Sequence, residues 1–394
     1  MMSSTDMRDM SDLDAAAWEV ARFAREMAAE RDITGKFPTA EFQALHAARL
    51  LTAPLPSNVG GAGLGSEPGT MASLLRVLAI IGWGNLSLAR LYEGHVNALL
   101  LIEQFGTADQ REKAAAEAQA GQYFAVWNTE AADGVEVQPG GERTYCLRGA
   151  KTFASGAGAI GRPLVTGRLP DGGWQMILLD VTASELDRVD TSWWRPLGMN
   201  ASASHRIDFT GLEVGSKALL GEVGDYYRQP WFSGGAIRFA SAQLGGAAAL
   251  LDAAVSTLRD AGRTEDELQR ARIGEAAIAV ASGEQWLDWA AVRADQSALG
   301  GAADPTVSAE AMVTVANMTR TAIERICLDV LAIVERAIGA RGLLKPHPIE
   351  RISRDLTLYL RQPAPDAALR DVGVSALSSA TPSLLRWQVE QLTS

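Results

Sequence analysis

Gly149-Ala150-Lys151-Thr152-Phe153-Ala154-Ser155 closes a strand-like run that starts at Thr144, and it lies in the stretch whose reading decides the fold. Around it, across residues 122–214, short runs with strand character recur at 123–128, 144–148, 164–169, 174–181 and 206–209. Turn sequences such as Pro139-Gly140-Gly141 and Asp171-Gly172-Gly173 separate them. Gly and Asp serve there because they accept backbone angles that other residues resist. Spacing this short leaves no room for crossover helices, so the sheet is predicted to be mainly antiparallel and barrel-like.

On both sides the period changes to that of helices. Val20, Phe23, Ala24 and Met27 fall at i, i+3, i+4 and i+7 after a capping-type Ser11-Asp12, which predicts one buried stripe. A break at residues 51–66 carries Pro54, Pro56 and four glycines, after which helical patterning covers 70–104 and 107–120. Beyond Gly234, alanine-rich segments run over 236–260, 264–297 and 306–339. In the last, Met312, Val315, Thr319, Ala322 and Ile326 mark the expected buried face, with Asp304-Pro305 as the helix start. Long helices with short links imply an up-and-down bundle. The predicted fold class is therefore α+β: an N-terminal helical domain (residues 1–121), a middle β-domain (122–222) and a C-terminal four-helix-type bundle (223–394). Small residues at Gly245, Gly246, Ala248 and Ala249 allow close helix approach, and a homodimer or homotetramer is expected.

Composition excludes several classes. The 394-residue chain is 47% apolar and 21% charged, which fits a globular protein of two or three domains. A net charge of −11 with no basic run argues against nucleic-acid binding, which needs clustered Lys and Arg. No uninterrupted apolar run has the length of a membrane span, and no secretory leader is visible. Cys146 and Cys327 stand far apart, so a disulfide framework is not expected and a reducing cytoplasm is. His46, His95, His205 and His347 are dispersed, which predicts no metal site.

Two motifs carry possible chemistry. Gly60-Gly61-Ala62-Gly63-Leu64-Gly65 superficially suggests a phosphate loop, but Pro54 and Pro56 precede it where a buried strand is required, so it reads as a turn between helices. Thr129-Glu130 and the run ending in Phe153 and Ser155 place hydroxyls and an aromatic ring at strand ends, where they can hydrogen-bond and cover a heteroaromatic cofactor. On spacing alone the same residues also read as ordinary strand ends.

The order of motifs resembles the acyl-CoA dehydrogenase superfamily. Trp127-Asn128-Thr129-Glu130 is similar to its Thr-Glu-Pro segment, with Ala131 in place of the proline, and Gly149-x-Lys151-x-Phe153-x-Ser155 is similar to its Gly-x-Lys-x-Trp-Ile-Thr segment. Leu197-Gly198-Met199-Asn200-Ala201-Ser202-Ala203-Ser204 with Ile207-Asp208-Phe209 resembles the next β-domain signature. The turn from Pro56 to Gly63, Gly106-Thr107-x-x-Gln110-Arg111, and Pro348-Ile349-Glu350-Arg351 with Arg354-Asp355 complete six matches in order. The resemblance implies FAD, with Thr129 and Ser155 bonded to the flavin ring, Phe153 packed on it and Gly134 approaching it by its backbone. It also implies that Ser202 and Ser204 help hold a CoA portion, and that Arg238 opens the first helix of the bundle.

Two departures qualify what it implies. Family members complete the FAD site with Arg-x-x-Phe-Gly and Gly-Gly-x-Gly stretches from a neighbouring subunit, whereas this chain has residues 259–267 without Phe-Gly and Ile338-Gly339-Ala340-Arg341-Gly342. The family's catalytic glutamate position falls on Pro363, and the alternative used by some relatives falls on Ile237; neither accepts a proton. Asp366, three residues on, and Glu93, at the floor of the family's acyl pocket, are the remaining candidates for the carboxylate, and Asp366 is preferred. Trp193-Trp194 and Tyr226-Tyr227 either close the site or pack a domain seam. The expected function is an FAD-dependent oxidoreductase acting on an acyl thioester or related carbonyl compound. The alternatives are a flavin-dependent oxidase or monooxygenase, in which loss of the glutamate is tolerable, and a non-catalytic binding protein.

Overall fold

A computed structural model describes residues 12–181, 187–297, 299, 308–361 and 364–386. The expected starts at Ser11 and at Asp304-Pro305, and the residue Pro363, lie outside the described residues. The N-terminal helices are α1 (Asp12–Thr34), α2 (Thr39–Ala47), α3 (Met71–Gly84), α4 (Leu86–Phe105) and α5 (Ala108–Gln119). The run over 70–104 is thus two helices. Asn85 has extended backbone (φ −161, ψ 121), and its side chain accepts the Leu88 N–H and caps α4. Thr107 and Gln110 form a reciprocal capping box at α5.

The strands are β1 (Phe124–Trp127), β2 (Glu136–Pro139), β3 (Thr144–Arg148), β4 (Ala150–Ala154), β5 (Arg162–Arg168), β6 (Trp174–Leu178), β7 (Val189–Asp190), β8 (His205–Asp208), β9 (Leu212–Gly215) and β10 (Leu219–Leu220). They form two sheets, β10-β6-β5-β2-β3-β9 with β1 beside β5, and β4-β8-β7. Most pairs are antiparallel, but β1 and β2 run parallel to β5. The parallel return is made by strands instead of a helix, because β2 to β4 supply the length of chain that a crossover requires. Gly149 (φ +98) ends the β3 run and sends the chain into the second sheet as β4.

The bundle consists of α6 (Trp231–Asp260), α7 (Glu267–Asp295), α8 (Ala309–Ile338), α9 (Pro348–Tyr359), α10 (Pro365–Ser378) and α11 (Ser383–Arg386). Helix α6 is its axis and packs on α3, α4, α7, α8 and α9. A Cβ on Gly245 would stand 2.0 Å from the Ala79 carbonyl oxygen, so this small-residue face docks α6 on α3 within the chain. By length and composition α6 alone among the described helices could cross a membrane, but Arg238, Gln243 and Asp252 interrupt its apolar run and most of it is buried by neighbours, as in a core helix. Two stripes also shift. In α1 the buried face is Ala17, Val20, Ala21, Ala24 and Ala28, with Phe23 and Met27 only partly covered. In α8, Met312, Val315 and Thr319 are buried as expected, but Ile323 and Cys327 continue the face in place of Ala322 and Ile326.

Candidate active site

A β-bulge shapes the end of β4. Lys151 pairs with Ile207 and Ala154 with His205, and the register shifts between them. The extra residue bends the strand and re-aims its side chains. Phe153 absorbs the bend at φ +51, a left-handed conformation costly for an aromatic residue. Its ring is 45% exposed and meets Trp193 and Trp194 edge-on, at 5.0 and 5.9 Å between centroids. Together these three rings form an open aromatic corner.

Behind the corner, Ser155 turns inward. Its Oγ lies 2.9 Å from Ser204 Oγ, which lies 2.8 Å from Ser202 Oγ, and all three hydroxyls are buried. The chain is held by the Trp127 indole N–H, which donates to the Ser155 carbonyl (2.9 Å), and by Gly156 N–H donating to the Ser202 carbonyl (2.9 Å). Left-handed Met199 and Ala203 bracket the short helical turn that carries Ser202. Met199 N–H donates to Asp355 Oδ1 (2.5 Å), Gly198 lies flat on the backbone of Arg354, and Arg354 donates to the Leu197 carbonyl. Arg354 also pairs with Asp32 and Glu350. Burial pushes the Asp355 carboxyl up to about 6, against the opposing pull of the Met199 N–H and Arg351. Beside the serines, the buried His205 Nδ1 has no hydrogen-bond partner among the described residues.

A second cluster lies between α4, α6 and α9. Glu93, 2% exposed, accepts a hydrogen bond from Arg90 (2.5 Å) and another from the Asn97 amide. Asn97 Oδ1 in turn accepts from Arg238 Nε, so the amide relays between the two charged groups. Burial pulls the Arg238 guanidinium down to about 10, with Glu93 opposing, which leaves it charged at neutral pH. Tyr226 and the fully buried Tyr359 lie within electrostatic reach of Arg90 and Glu93, and burial drives both phenols upward. His95, two residues on from Glu93, bridges elements instead of facing a ligand. Its Nδ1 accepts the Phe124 N–H and its Nε2–H donates to the Leu51 carbonyl (2.8 Å), and burial pulls its pKa down to about 4.

The other residues singled out from sequence are separate. Thr129 is exposed, and its carbonyl accepts the Thr152 N–H. Gly134 lines an open cleft of about 670 Å³ with Arg148, Arg168, Trp174 and Thr210, which neither Phe153, Ser155 nor Glu93 lines. Asp366 is exposed in the first turn of α10, which packs on α8; among the described residues no bond joins it to either cluster.

Residues 12–122 match the acyl-CoA dehydrogenase N-terminal domain, and residues 237–360 match an acyl-CoA dehydrogenase C-terminal domain. The chain belongs to the acyl-CoA dehydrogenase superfamily. Over 410 residues it is 27% identical to a dibenzothiophene monooxygenase of Rhodococcus erythropolis, covering 95% of this chain and 96% of that one. Its fold is shared by the dibenzothiophene monooxygenase TdsC of Paenibacillus sp. A11-2 (TM-score 0.83, 22% identity, 95% and 99% of the two chains), whose structures include complexes with FMN and with FMN and indole. Butyryl-CoA dehydrogenase of Megasphaera elsdenii also shares it (TM-score 0.78, 18% identity, 94% and 99%).

Within this superfamily fold, two distant motifs that sequence singled out separately become one contact, since the Leu197-Gly198-Met199 loop rests on Arg354-Asp355. Sequence reading missed Arg90, Asn97 and Tyr359, because nothing in the linear sequence of α4 or α9 marks them out from the other polar residues of those helices. It also missed Lys151 as an ion-pair partner. The Lys151 ammonium is buried against Glu130 and donates to the Asn128 carbonyl and to Thr166 Oγ1, both at 3.0 Å. Burial lowers its pKa, while Glu130 holds it up.

Proposed function

We propose that this chain is a flavin-dependent monooxygenase of the acyl-CoA dehydrogenase superfamily, using FMN and acting on a small ring-bearing molecule. The observation that carries the reading is the bulged end of β4, where backbone strain holds Phe153 open beside Trp193 with the Ser155 hydroxyl behind it. A flat heteroaromatic ring with a polar edge fits that corner. Phe153 would pack on the ring face, and Thr129 and Ser155 would bond its edge. Gly134 would let the backbone of the neighbouring cleft approach the cofactor. Ser204 and Ser202 would orient the Ser155 proton, in place of holding a CoA chain. FMN suits this chain better than FAD because the family's adenine-side stretches are missing while the ring-side residues are present. A reduced flavin, when bound, supplies the electrons that activate dioxygen.

Two further observations support oxygenation over acyl-thioester dehydrogenation. Ile237, at one of the two places where the family keeps its base, is 1% exposed and apolar, so it can take no α-proton. The monooxygenase relatives span almost the whole chain. Arg238 and Glu93 would then meet the far end of the substrate, and Asp366 would take no part. We further propose assembly as at least a dimer, since Ile278, Leu369, Val374 and Leu377 present apolar surface on α7 and α10. Light scattering at micromolar protein should give twice the monomer mass or more.

The decisive experiment titrates apoprotein with FMN and with FAD, then mixes the reduced FMN complex with oxygen in the presence of indole. Quenched FMN fluorescence, tighter binding of FMN than FAD, and an oxygenated indole product are expected. Rapid bleaching of bound flavin by butyryl-CoA, or no perturbation of FMN at saturating protein, would overturn the reading.

A further inference from the structure

The cluster between α4, α6 and α9 contains more positive charge than its own carboxylate can balance. Arg90 and Arg238 share Glu93, the first directly and the second through Asn97, and among the described residues no second carboxylate pairs with either guanidinium. A buried charge without a partner is expensive, so proteins rarely keep one unless a ligand completes it. Two donors nearby are also unused. Arg90 Nε and the Tyr359 hydroxyl are both shut off from solvent and have no hydrogen-bond partner among the described residues. A slot of about 50 Å³ opens against Arg238, walled by Leu100, Leu101, Trp231 and Leu299. Glu103 stands at its rim, partly exposed. Gly65, Ser66 and Gln104 complete its lining, so the slot has mixed apolar and polar walls, and of the cluster it is Arg238 that faces it.

We infer that this cluster is a carboxylate-binding floor, and that the molecule bound in front of it is a small ring-bearing acid whose carboxylate sits between Arg238, Arg90 and the Tyr359 hydroxyl. The three donors then find acceptors, and the charge of the cluster falls to zero. A guanidinium suits a carboxylate because its parallel N–H groups match the two oxygens. Glu93 has a restraining role. It keeps the two guanidiniums apart and partly neutralised while the site is free, and it competes with the incoming acid. The inference rests on the proposed function only in taking this acid to be the substrate.

Calorimetric titration of the full chain with benzoate, benzamide and phenol tests it without any turnover. Benzoate should bind about tenfold or more tightly than either neutral ring, since a charge-assisted bond is at stake. Arg238→Gln should abolish that preference, and added salt should weaken benzoate alone. Glu93→Gln should tighten benzoate several-fold, an effect opposite to that of general damage to the fold. Equal binding of benzoate and benzamide by the wild-type protein, phenol binding as tightly as benzoate, no binding of any of the three, or weaker benzoate binding in Glu93→Gln would each overturn the inference. FMN fluorescence read on the same samples separates the two readings. Lost FMN binding with the benzoate preference intact breaks the proposed cofactor and leaves the floor standing.

Discussion

At the end of β4 an aromatic ring stands nearly half exposed on a strained backbone, while between α4, α6 and α9 the buried Glu93 and Arg238 and the partly buried Arg90 and Asn97 are bonded to one another. The first region is shaped by the main chain: a register shift, a left-handed residue and a tight turn decide where Phe153 and Ser155 point. The second is shaped by side chains meeting across three helices. Substitutions should therefore separate the two. In the cluster they should be felt as stability, because a removed partner leaves a buried charge. At the bulge they should be felt as ligand binding, because the exposed ring contributes little to the core.

Glu93→Ala should be the most damaging change, since it leaves two largely buried guanidiniums without their acid. A loss of about 3–5 kcal/mol is expected, measured as a lower urea midpoint. A loss near zero would mean that water reaches the cluster, and that it is not the dry floor described above.

Two groups in the frame between the regions should set the pH dependence, with opposite signs. His95 stays neutral in the folded chain until about pH 4, whereas an unfolded histidine takes its proton near 6.5. Its contribution is full above pH 6.5 and is lost as the pH falls toward 4. Asp355 behaves the other way, because the folded carboxyl takes its proton at about 6 and the unfolded one at 3.8. Its contribution is full below pH 3.8 and is lost as the pH rises through 6. Arg351, Arg354 and Asp32 face it and modulate the shift. Each effect is worth roughly 3 kcal/mol over its window, so the two nearly cancel in the wild-type protein. Asp355→Asn keeps an acceptor for the Met199 N–H and should uncover the histidine slope. Melting temperatures between pH 7 and 4 should then fall more steeply than for wild type, and parallel curves would refute this assignment.

At the bulge, Phe153→Gly should relieve the left-handed strain and raise apoprotein stability by about 1 kcal/mol. The same change should weaken FMN about tenfold by removing the ring contact. Fluorescence titration alongside thermal melts checks both signs. A variant that loses stability and keeps FMN affinity would show that the strained ring serves the fold and not a ligand. The smallest effect belongs to Asp366→Asn. Exposed in the first turn of α10, it should shift stability by less than about 0.5 kcal/mol and leave flavin reduction unchanged. A large rate loss there would move the chemistry away from both clusters.

Helix, sheet and helix follow one another in the structure as the periodicities along the chain dictate, because burial of one face requires a period near 3.6 or 2 whatever the neighbours are. The runs at 144–148 and 174–181 show this, with β3 and the start of β6 falling where alternation and turn residues place them. The parallel pairing of β1 with β5, the break at Asn85 and the shift of the α8 stripe to Ile323 and Cys327 were not legible, because each depends on which element lies opposite. The same division runs through the candidate site. Phe153 and Ser155 are close in sequence and were visible as a strand-end motif. The bond from Asn97 to Arg238 crosses 141 residues. No local pattern signals a side-chain contact of that length, so only the packing of α4 against α6 and α9 decided that Arg90, Glu93, Arg238 and Tyr359 share one buried space.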